Sequence, residues 1–325
     1  MKLILAHNNK IALSIVLLLA IGILSTYFNW GAISVIASVL LPVLFFLNTI
    51  IVIYAFRQRK YLYLFSTMAF LLCYNFFYQI SLDDENHKNT ISLLTYNVRS
   101  FANEDAKVAN NIIKFIDSIN PDILLLQESA YKVGRNIKGY DYHFLGFRKD
   151  IEKTLLDVYS KFPIVEKGYV DFPNTRNNTL YTDLVVENDT LRVYNVHLQS
   201  FALTSRAVLD VSEKLSYTFS KQIEQSKAVK AHANKSNRKV IISGDFNATQ
   251  FSIPYKTLSH GLNDSFFAKG NGLGTTYNLS GFPLRLDYIL LNKSLEVTNH
   301  KNFDLNLSDH KPILIEFKIP KTSRS

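Results

Sequence analysis

The chain has 325 residues and a formal net charge of +9, with 36 basic against 27 acidic side chains. Residues 1–80 contain no Asp or Glu and hold five of the basic residues, which leaves a net charge of +4 for residues 81–325. The larger part is therefore only mildly basic, which suits an anionic substrate without requiring a nucleic acid. The single cysteine, Cys73, excludes an intramolecular disulfide, and it excludes a thiolate metal site or a cysteine nucleophile beyond residue 80.

Three apolar stretches without a charged residue occupy most of residues 1–80: Ile11–Phe28, Ala32–Phe56 and Tyr61–Ile80. A helix needs about 20 mostly apolar residues to cross a bilayer, and each stretch is close to or above that length. We therefore predict a membrane anchor of about three transmembrane helices over residues 1–80. A cleaved signal peptide is the alternative for the first stretch, and two spans or a hairpin are the alternatives for the whole segment.

The cations around these stretches predict an orientation. Lys2 and Lys10 precede the first stretch, Arg57–Lys60 separates the second from the third, and the loop Asn29–Gly31 is uncharged. By the positive-inside rule, the chain is a multi-pass membrane protein with a cytoplasmic N-terminus, and its large domain lies on the outer, periplasmic or extracellular face. Charged side chains inside spans mark transport paths. Since these stretches have none, an anchor is favoured over a transporter or channel.

Beyond the apolar segment, residues 81–90 predict a short polar linker and residues 91–320 a single mixed domain. Glu104–Ile119 has the apolar spacing of a helix and is followed by Pro121. Ser220–Ala233 predicts a second helix, for which an earlier start near Ser205 is left open. Short runs rich in Ile, Val, Leu and Tyr predict strands at Ile91–Tyr96, Asp122–Gln127, Leu191–Val196, Lys239–Ser243, Leu286–Leu291 and Ile313–Lys318. Strands mixed with helices indicate an α/β or α+β domain.

Polar side chains stand at the ends of several of these strands: Asn97, Gln127-Glu128, His197, Asp245 with Asn247, and Asp309-His310. Their carboxylate and amide oxygens suit Mg²⁺, or Mn²⁺, better than zinc. The imidazoles can transfer protons or donate hydrogen bonds to phosphate oxygens. Each motif alone has a simpler explanation as a turn former, a cap or a core histidine. The presence of five such motifs in one chain makes that explanation weaker. No glycine-rich phosphate loop with a following Lys appears, so nucleotide-driven phosphotransfer is not indicated.

The order of the motifs resembles the endonuclease/exonuclease/phosphatase superfamily, in the form of a membrane-anchored bacterial-type member. The resemblance covers about residues 91–318 and is carried by Thr95-Tyr96-Asn97-Val98, Gln127-Glu128, Tyr159–Ile164, Val196-His197-Leu198, Gly244-Asp245-Phe246-Asn247, Arg285–Leu290 and Ser308-Asp309-His310. The family fold is a four-layer α/β sandwich, in which two packed, mostly antiparallel sheets are flanked by helices. We expect that architecture here, preceded by the N-terminal transmembrane helical anchor.

The resemblance also implies roles for individual residues. Its metal ligands would be Glu128, Asn97 and Asp309. Its catalytic residues would be Asp245 and Asn247, which position water and phosphate, His310 with the orienting Asp287, and His197, which donates to a phosphate oxygen. Tyr159 and Arg99 are weaker candidates for binding the substrate phosphate. Arg99 stands where some members have an acidic neighbour of the metal, and a plain surface cation is an equal alternative for it.

The resemblance predicts a magnesium-dependent hydrolase of phosphate esters, of the phosphodiesterase or endonuclease type, that acts by direct attack of water. DNA, RNA and lipid headgroups are all open as substrates, and no protein partner can be inferred. The alternative is a catalytically inactive, membrane-tethered binding module on the same scaffold.

Overall fold

The computed structural model describes residues 14, 17–57, 77–81, 89–134, 137–147, 153–201 and 208–320. The strands are β1 (Ile91–Asn97), β2 (Ile123–Gln127), β3 (Tyr142–Leu145), β4 (Asp157–Ser160), β5 (Ile164–Asp171), β6 (Asn178–Val186), β7 (Asp189–His197), β8 (Lys239–Asp245), β9 (Leu262–Asp264), β10 (Tyr277–Leu279), β11 (Phe282–Leu284), β12 (Asp287–Asn292), β13 (Glu296–Asn302) and β14 (Ile313–Lys318). The helices are α1 (17–25), α2 (Ala32–Arg57), α3 (Arg99–Glu104), α4 (Ala106–Ile119), α5 (Tyr131–Gly134), α6 (Val208–Asn234), α7 (Ile253–Ser259) and α8 (Ser265–Lys269).

The strands form two six-stranded sheets and a separate hairpin of β10 and β11. The first sheet has the order β13-β14-β1-β2-β4-β3, and the second has the order β5-β6-β7-β8-β12-β9. Among the described strands, β1 with β2 and β7 with β8 are parallel, and the other pairs are antiparallel. Each sheet therefore has one parallel pair at its centre, whose carboxyl ends meet at one edge.

The two sheets pack face to face around an apolar core. Leu93 and Leu125 of the first sheet are fully buried there against Val193, Ile241 and Ile289 of the second. Successive side chains of a strand point to opposite faces, so the neighbours of these residues face outward. The outward faces are also apolar and are covered by helices.

Helices form the two outer layers. On the first sheet, α4 packs Ile112 and Ile116 against Leu94 and Tyr96. On the second sheet, α6 and α7 pack their apolar residues against the face that carries Tyr194. The expected four-layer sandwich is confirmed, and all six predicted strands and the first predicted helix are present within a few residues of their predicted ends. The second predicted helix ends as expected but begins at Val208, near the earlier start that the sequence left open.

An apolar helix precedes the sandwich. Its segment Ala32–Ile50 is the one described helix long and apolar enough to cross a membrane, and 28% of that segment is buried. A signal sequence has the same length and composition, so the finding supports an anchor or a signal without deciding between them. Within the first predicted span, residues 17–25 form α1, whereas the third, Tyr61–Ile80, lies mainly outside the described residues.

Candidate active site

Strand register brings the predicted residues to one edge of the sandwich. In the first sheet, Asn97 at the end of β1 pairs with Gln127 at the end of β2. In the second sheet, His197 at the end of β7 pairs with Asp245 at the end of β8, and Asp287 lies opposite Asp245 on the antiparallel strand β12. The parallel pairs therefore present their polar ends side by side, from both sheets, at the same edge.

The amide of Asn97 connects the carboxylates of the two sheets. Its Nδ2 donates to Glu128 Oε1 at 3.2 Å and to Asp245 Oδ2 at 3.0 Å. Asn97 and Asp245 are buried, whereas the side chain of Glu128 is 32% exposed. Two carboxylates converge on one amide here, and their mutual repulsion favours a cation between them.

The donor set suits a divalent cation. Ligand atoms of Glu128, His197 and Asp245 lie within 4.8 Å of one another, and those of Asp245, Asp287 and His310 form a second such group. Asp245 belongs to both groups. The Nε2 atom of His197 is buried without a hydrogen-bond partner. Carboxylate oxygens, which Glu128, Asp245 and Asp287 offer here, are ligands that Mg²⁺ and Mn²⁺ prefer, so the residues present fit this class of ion.

The hydrogen bonds of His197 settle its tautomer. Asn177 Nδ2 donates to the carbonyl oxygen of Leu198 at 3.0 Å, which fixes the direction of the amide, and it lies 3.3 Å from His197 Nδ1. Because an amide nitrogen can only donate, Nδ1 accepts and Nε2 carries the proton. The Nε2 atom lies 3.4 Å from Glu128 Oε1 and 3.7 Å from Asp245 Oδ2 and makes a hydrogen bond to neither. Burial lowers the pKa of His197, with the Glu128 carboxylate acting in the opposite direction.

A second histidine is held between carboxylates. His310 Nδ1 lies 2.8 Å from Asp287 Oδ2, and its Nε2 lies 3.6 Å from Asp245 Oδ2. Burial acts to lower the pKa of His310, but the Asp287 and Asp245 carboxylates outweigh it and raise this pKa to about 10. Tyr277 packs its ring against the imidazole at 4.8 Å. The imidazole is thus oriented by one carboxylate and aimed at another, as a proton-transfer group requires.

Asn247 completes the surroundings of Asp245. Its backbone N–H donates to Asp245 Oδ1 at 2.7 Å, and its side-chain Nδ2 donates to Oδ2 at 3.1 Å. Burial raises the pKa of Asp245 to about 7, and the charge of His310 opposes this shift. Both Asp245 oxygens therefore accept hydrogen bonds from neutral or cationic groups around one buried point.

The sequence model of the Endonuclease/Exonuclease/phosphatase family matches residues 94–310, the span that contains every one of these residues. The chain belongs to this family. Comparison with curated protein sequences gives no match.

Solved structures of related fold agree with this assignment. A D. rerio TDP2 structure, complexed with single strand DNA product, has a TM-score of 0.57 at 18% identity and covers 71% of this chain and all of its own. Endonuclease/exonuclease/phosphatase family proteins from Beutenbergia cavernae and Bacteroides thetaiotaomicron have TM-scores of 0.58 and 0.55 at 17% and 19% identity. The first covers 71% of this chain and 72% of its own, and the second covers 70% and 97%. At these identities the similarity establishes the shared fold.

In this family member, the backbone beside the site takes unusual conformations. Glu128 and Asn247 have φ angles of 48° and 49°, and the first four residues of α3, from Arg99 to Ala102, have φ between 44° and 53°. Left-handed backbone costs non-glycine residues roughly 1–2 kcal/mol each. The turn is anchored by the N–H of Ser100, which donates to the Glu128 carbonyl at 2.5 Å. Strain of this kind gathers at functional sites, where it aims side chains.

The two weaker candidates for binding the substrate phosphate, Arg99 and Tyr159, lie at different distances from the site. Arg99 is half exposed at the rim, with its Nη1 atom 3.5 Å from Asp309 Oδ2. Tyr159 is buried among α5 and the first sheet, and its hydroxyl donates to the carbonyl of Gly134 at 2.9 Å. None of the contacts described for Tyr159 is with the residues around Asp245. The structure thus brings Arg99 and Asp309 to the site and leaves Tyr159 in the core.

The sequence alone did not reveal several supporting residues. Asn177 orients His197, Tyr277 packs on His310, and Thr276 Oγ1 accepts the backbone N–H of Asp287 at 3.1 Å. Gln127, which was seen only as the neighbour of Glu128, donates to Asn195 Oδ1 at 2.7 Å across the sheets. The one available signal was polarity inside strands, as at Asn195 within Val193–His197. Their partners are distant in sequence, so spacing could not identify them.

Proposed function

We propose that this chain is a metal-dependent hydrolase that cleaves phosphate esters by direct attack of water. The observation that carries the proposal is the convergence of Glu128, His197 and Asp245 at one edge, with the Asp287–His310 pair directed at Asp245. Metal-capable carboxylates, an N–H donor and an oriented proton-transfer group are the components that phosphoryl hydrolysis needs.

Glu128 and Asp245 are the residues best placed to hold the ion. Asn97 positions them, because its Nδ2 donates to both carboxylates while its Oδ1 accepts the N–H of Arg99 at 3.0 Å. Asp309 is the further candidate ligand, and its contact with Arg99 keeps it near the rim. The all-oxygen set favours Mg²⁺, with Mn²⁺ as an alternative. A divalent cation, when bound, neutralises charge on the phosphate oxygens and lowers the pKa of coordinated water.

The two histidines have separate roles in the proposal. The Nε2–H of His197 donates to a non-bridging phosphate oxygen, since Asn177 holds the ring in the tautomer that has this proton. His310 donates or accepts a proton at Nε2, while Asp287 holds Nδ1. Asp245 and Asn247 position water and phosphate between the histidines.

The reaction needs no covalent enzyme intermediate. The oxygen of water forms a bond to phosphorus, and the ester oxygen leaves and takes up a proton. The water gives up its proton to the acceptor at the Asp245–His310 pair. The products are an alcohol and a phosphate with one fewer ester bond. Nucleic acids and lipid headgroups both contain such esters, and D. rerio TDP2 has been seen with a single-strand DNA product.

We also infer that residues 1–80 anchor the domain to a membrane in several passes, with the N-terminus cytoplasmic and the domain outside. Contacts of the uncharged loop support this orientation: Ala32 N–H donates to Ser216 Oγ at 2.9 Å, and Lys256 Nζ lies 3.3 Å from the centre of the Tyr27 ring. The loop and the domain then share one side of the membrane. Protease added to right-side-out vesicles would digest the domain, and digestion only in inverted vesicles would contradict the orientation.

The activity is tested with the full chain in maltoside detergent and bis-p-nitrophenyl phosphate as the ester. We expect turnover with Mg²⁺, loss of turnover with a chelator, and a decrease of about 10²–10⁴-fold for His310→Ala, because a positioned proton-transfer group contributes that factor. His143→Ala is the matched control, since His143 is exposed on β3. A folded wild-type chain that hydrolyses neither this ester, nor plasmid DNA, nor phospholipid vesicles with either metal would contradict the proposal.

A further inference from the structure

The candidate active site opens into a cavity that α2 closes on one side. The cavity has a volume of about 370 Å³, within the range of small-molecule sites. Glu128, Asn247, Asp309 and His310 lie at one part of its wall. The remaining wall is mostly apolar and comes from α2, α6 and the β10–β11 hairpin, through Val35, Val39, Leu40, Phe219, Leu279 and Leu284. These walls match a ligand with a phosphate at one end and hydrocarbon at the other.

The charges around the cavity argue against a polyanion. No Lys or Arg is found among the described residues that line it. Single-stranded nucleic acids are bound in basic grooves that follow the phosphates, with bases stacked on aromatic rings. Arg99, the cation at the rim, is paired with Asp309. The walls therefore match one phosphate ester with an apolar substituent better than a strand with a phosphate at every nucleotide.

The surface next to the cavity resembles a membrane interface. Ile36 and Leu40 line the cavity and are also 48% and 44% exposed, so the apolar wall continues onto the outer surface of α2. Just before α2, Tyr27 and Trp30 are exposed, and Lys256 lies over the Tyr27 ring. Aromatic rings with a neighbouring cation are typical of the headgroup level of a bilayer. A hydrocarbon chain could pass from the bilayer along α2 to the site without crossing water.

We propose that the substrate is a membrane lipid phosphoester, whose headgroup phosphate lies at Glu128, Asp245 and His310 and whose chain occupies the cavity against α2. This inference rests on the proposed hydrolase function and gives its substrate class. It also gives α2 a second role, since the helix that anchors the protein forms one wall of the substrate site.

A homologous series of p-nitrophenyl alkyl phosphates, from methyl to dodecyl, tests this with the full chain, Mg²⁺ and maltoside detergent. Each buried methylene contributes roughly a fourfold gain in binding, so we expect kcat/KM to rise steeply with chain length until the cavity is full. A flat series, with or without cleavage of plasmid DNA, would overturn the lipid assignment and leave the hydrolase intact. Failure of every ester, including the methyl one, would count against the hydrolase function instead.

Matched double variants of α2 test whether the cavity is the part of the protein that binds the alkyl chain. Ile36→Gln with Leu40→Gln changes two cavity residues, and Ile33→Gln with Leu47→Gln changes two exposed residues of the same helix that lie outside the cavity. We expect the first pair to lower the ratio of dodecyl to methyl kcat/KM by tenfold or more, and the control pair to keep it. An equal decrease in both would overturn the cavity as the chain site, because both pairs alter the helix to the same extent.

A binding measurement decides the question independently of turnover. The probe is a dodecyl phosphonate with a diazirine at the chain end, which cannot be hydrolysed and needs no added metal for detection. After irradiation, we expect mass spectrometry to locate the label on residues 35–40 and on Phe219. Label spread evenly over the exposed apolar residues of α2, such as Ile33, Leu47 and Ile50, would overturn the proposal even if the hydrolase is active.

Discussion

The edge of the sandwich that carries the candidate site lies beside the helix pair α1–α2, of which α2 lines the same cavity, and the two regions are held by different interactions. At the edge, buried polar residues are fixed by strand register and by hydrogen bonds such as those that Asn97 makes to Glu128 and Asp245. The helix pair contacts the domain mainly through small apolar clusters, in which Leu41 packs near Phe251 and Val35 near Phe219. We therefore expect the edge to be held more firmly than the helices.

This difference separates the residues proposed to carry out the reaction from the helix proposed to admit the substrate. Catalytic groups have to stay within a fraction of an ångström of their geometry, and a network of buried partners provides that. If α2 admits a lipid chain, as proposed, it has to move aside and return, which a few apolar contacts would allow. We therefore expect substitutions in the two regions to differ in the size of their effects and in the property that they change.

The largest expected effect is on the Asp287–His310 pair. Asp287→Asn removes the charge that orients Nδ1 of the imidazole, and we expect kcat/KM to fall by about 10²–10⁴-fold with little change in stability. Because the two residues act as one unit, Asp287→Asn combined with His310→Ala should be no worse than the poorer single variant. Kinetics of the three variants measure this. Multiplicative losses would show that the residues act separately.

A buried ion pair tests how firmly the domain is held. Arg285 donates to both oxygens of Asp264, at 3.1 and 2.9 Å, and both side chains are buried. Arg285→Met leaves a buried carboxylate without its cation, so we expect a loss of about 3–5 kcal/mol in the free energy of unfolding. Denaturant unfolding measures it.

An exposed pair provides the control for that substitution. Lys311 Nζ lies 2.7 Å from Asp304 Oδ1, and the Asp304 side chain is 84% exposed. Lys311→Met should cost less than about 1 kcal/mol. Equal losses at the two pairs would contradict the view that buried polar contacts hold the domain together.

Acid should weaken the domain through His300. This imidazole is buried, with Nδ1 2.9 Å from Ser265 Oγ and Nε2 3.0 Å from Asn302 Oδ1. Burial lowers its pKa from 6.5 to about 4. The unfolded chain therefore binds a proton at a higher pH than the folded chain does. The contribution of His300 to the free energy of unfolding is therefore fully present above pH 6.5. It is lost as the pH falls toward 4, by about 3 kcal/mol in total.

Unfolding of His300→Gln between pH 7 and pH 4 measures this contribution. The variant should be less stable at pH 7 and should lose less stability on acidification than the wild type. His260→Gln is the matched control, because His260 is exposed. Parallel pH curves for wild type and His300→Gln would show that this histidine makes no such contribution.

The smallest effect is expected where α2 meets α6. Ser216→Ala removes the acceptor of the Ala32 N–H bond, which contributes about 1 kcal/mol. We expect hydrogen exchange at the start of α2 to increase about fivefold without a change in the midpoint of global unfolding. Ser118→Ala, on the exposed end of α4, should leave exchange in α2 unchanged. A lower global midpoint for Ser216→Ala would show that the helix pair unfolds together with the domain.

The sequence determined a large part of the site and of the fold. Strand-end motifs such as Gly244-Asp245-Phe246-Asn247 identified the candidate residues, because local apolar runs are read directly from the chain. The unpredicted strands, β3–β6, β9–β11 and β13, are short, edge-like or polar. In β6, for example, Thr182 and Asp183 are buried between apolar residues. The burial of such polar residues depends on partners from other strands. Arg192 on the neighbouring strand β7, for example, places its Nε atom 2.7 Å from Asp183 Oδ1.

Only the tertiary structure decided how these residues combine. It brought Asp245 together with Glu128, which is 117 residues distant in the chain, fixed the proton on His197 through Asn177, and kept Tyr159 in the core. It also placed α2 along the cavity, so that an apparent anchor became part of the candidate substrate site. Distances of this kind arise from the register within each sheet and the packing between sheets. Both are set by long-range contacts that local sequence patterns do not encode.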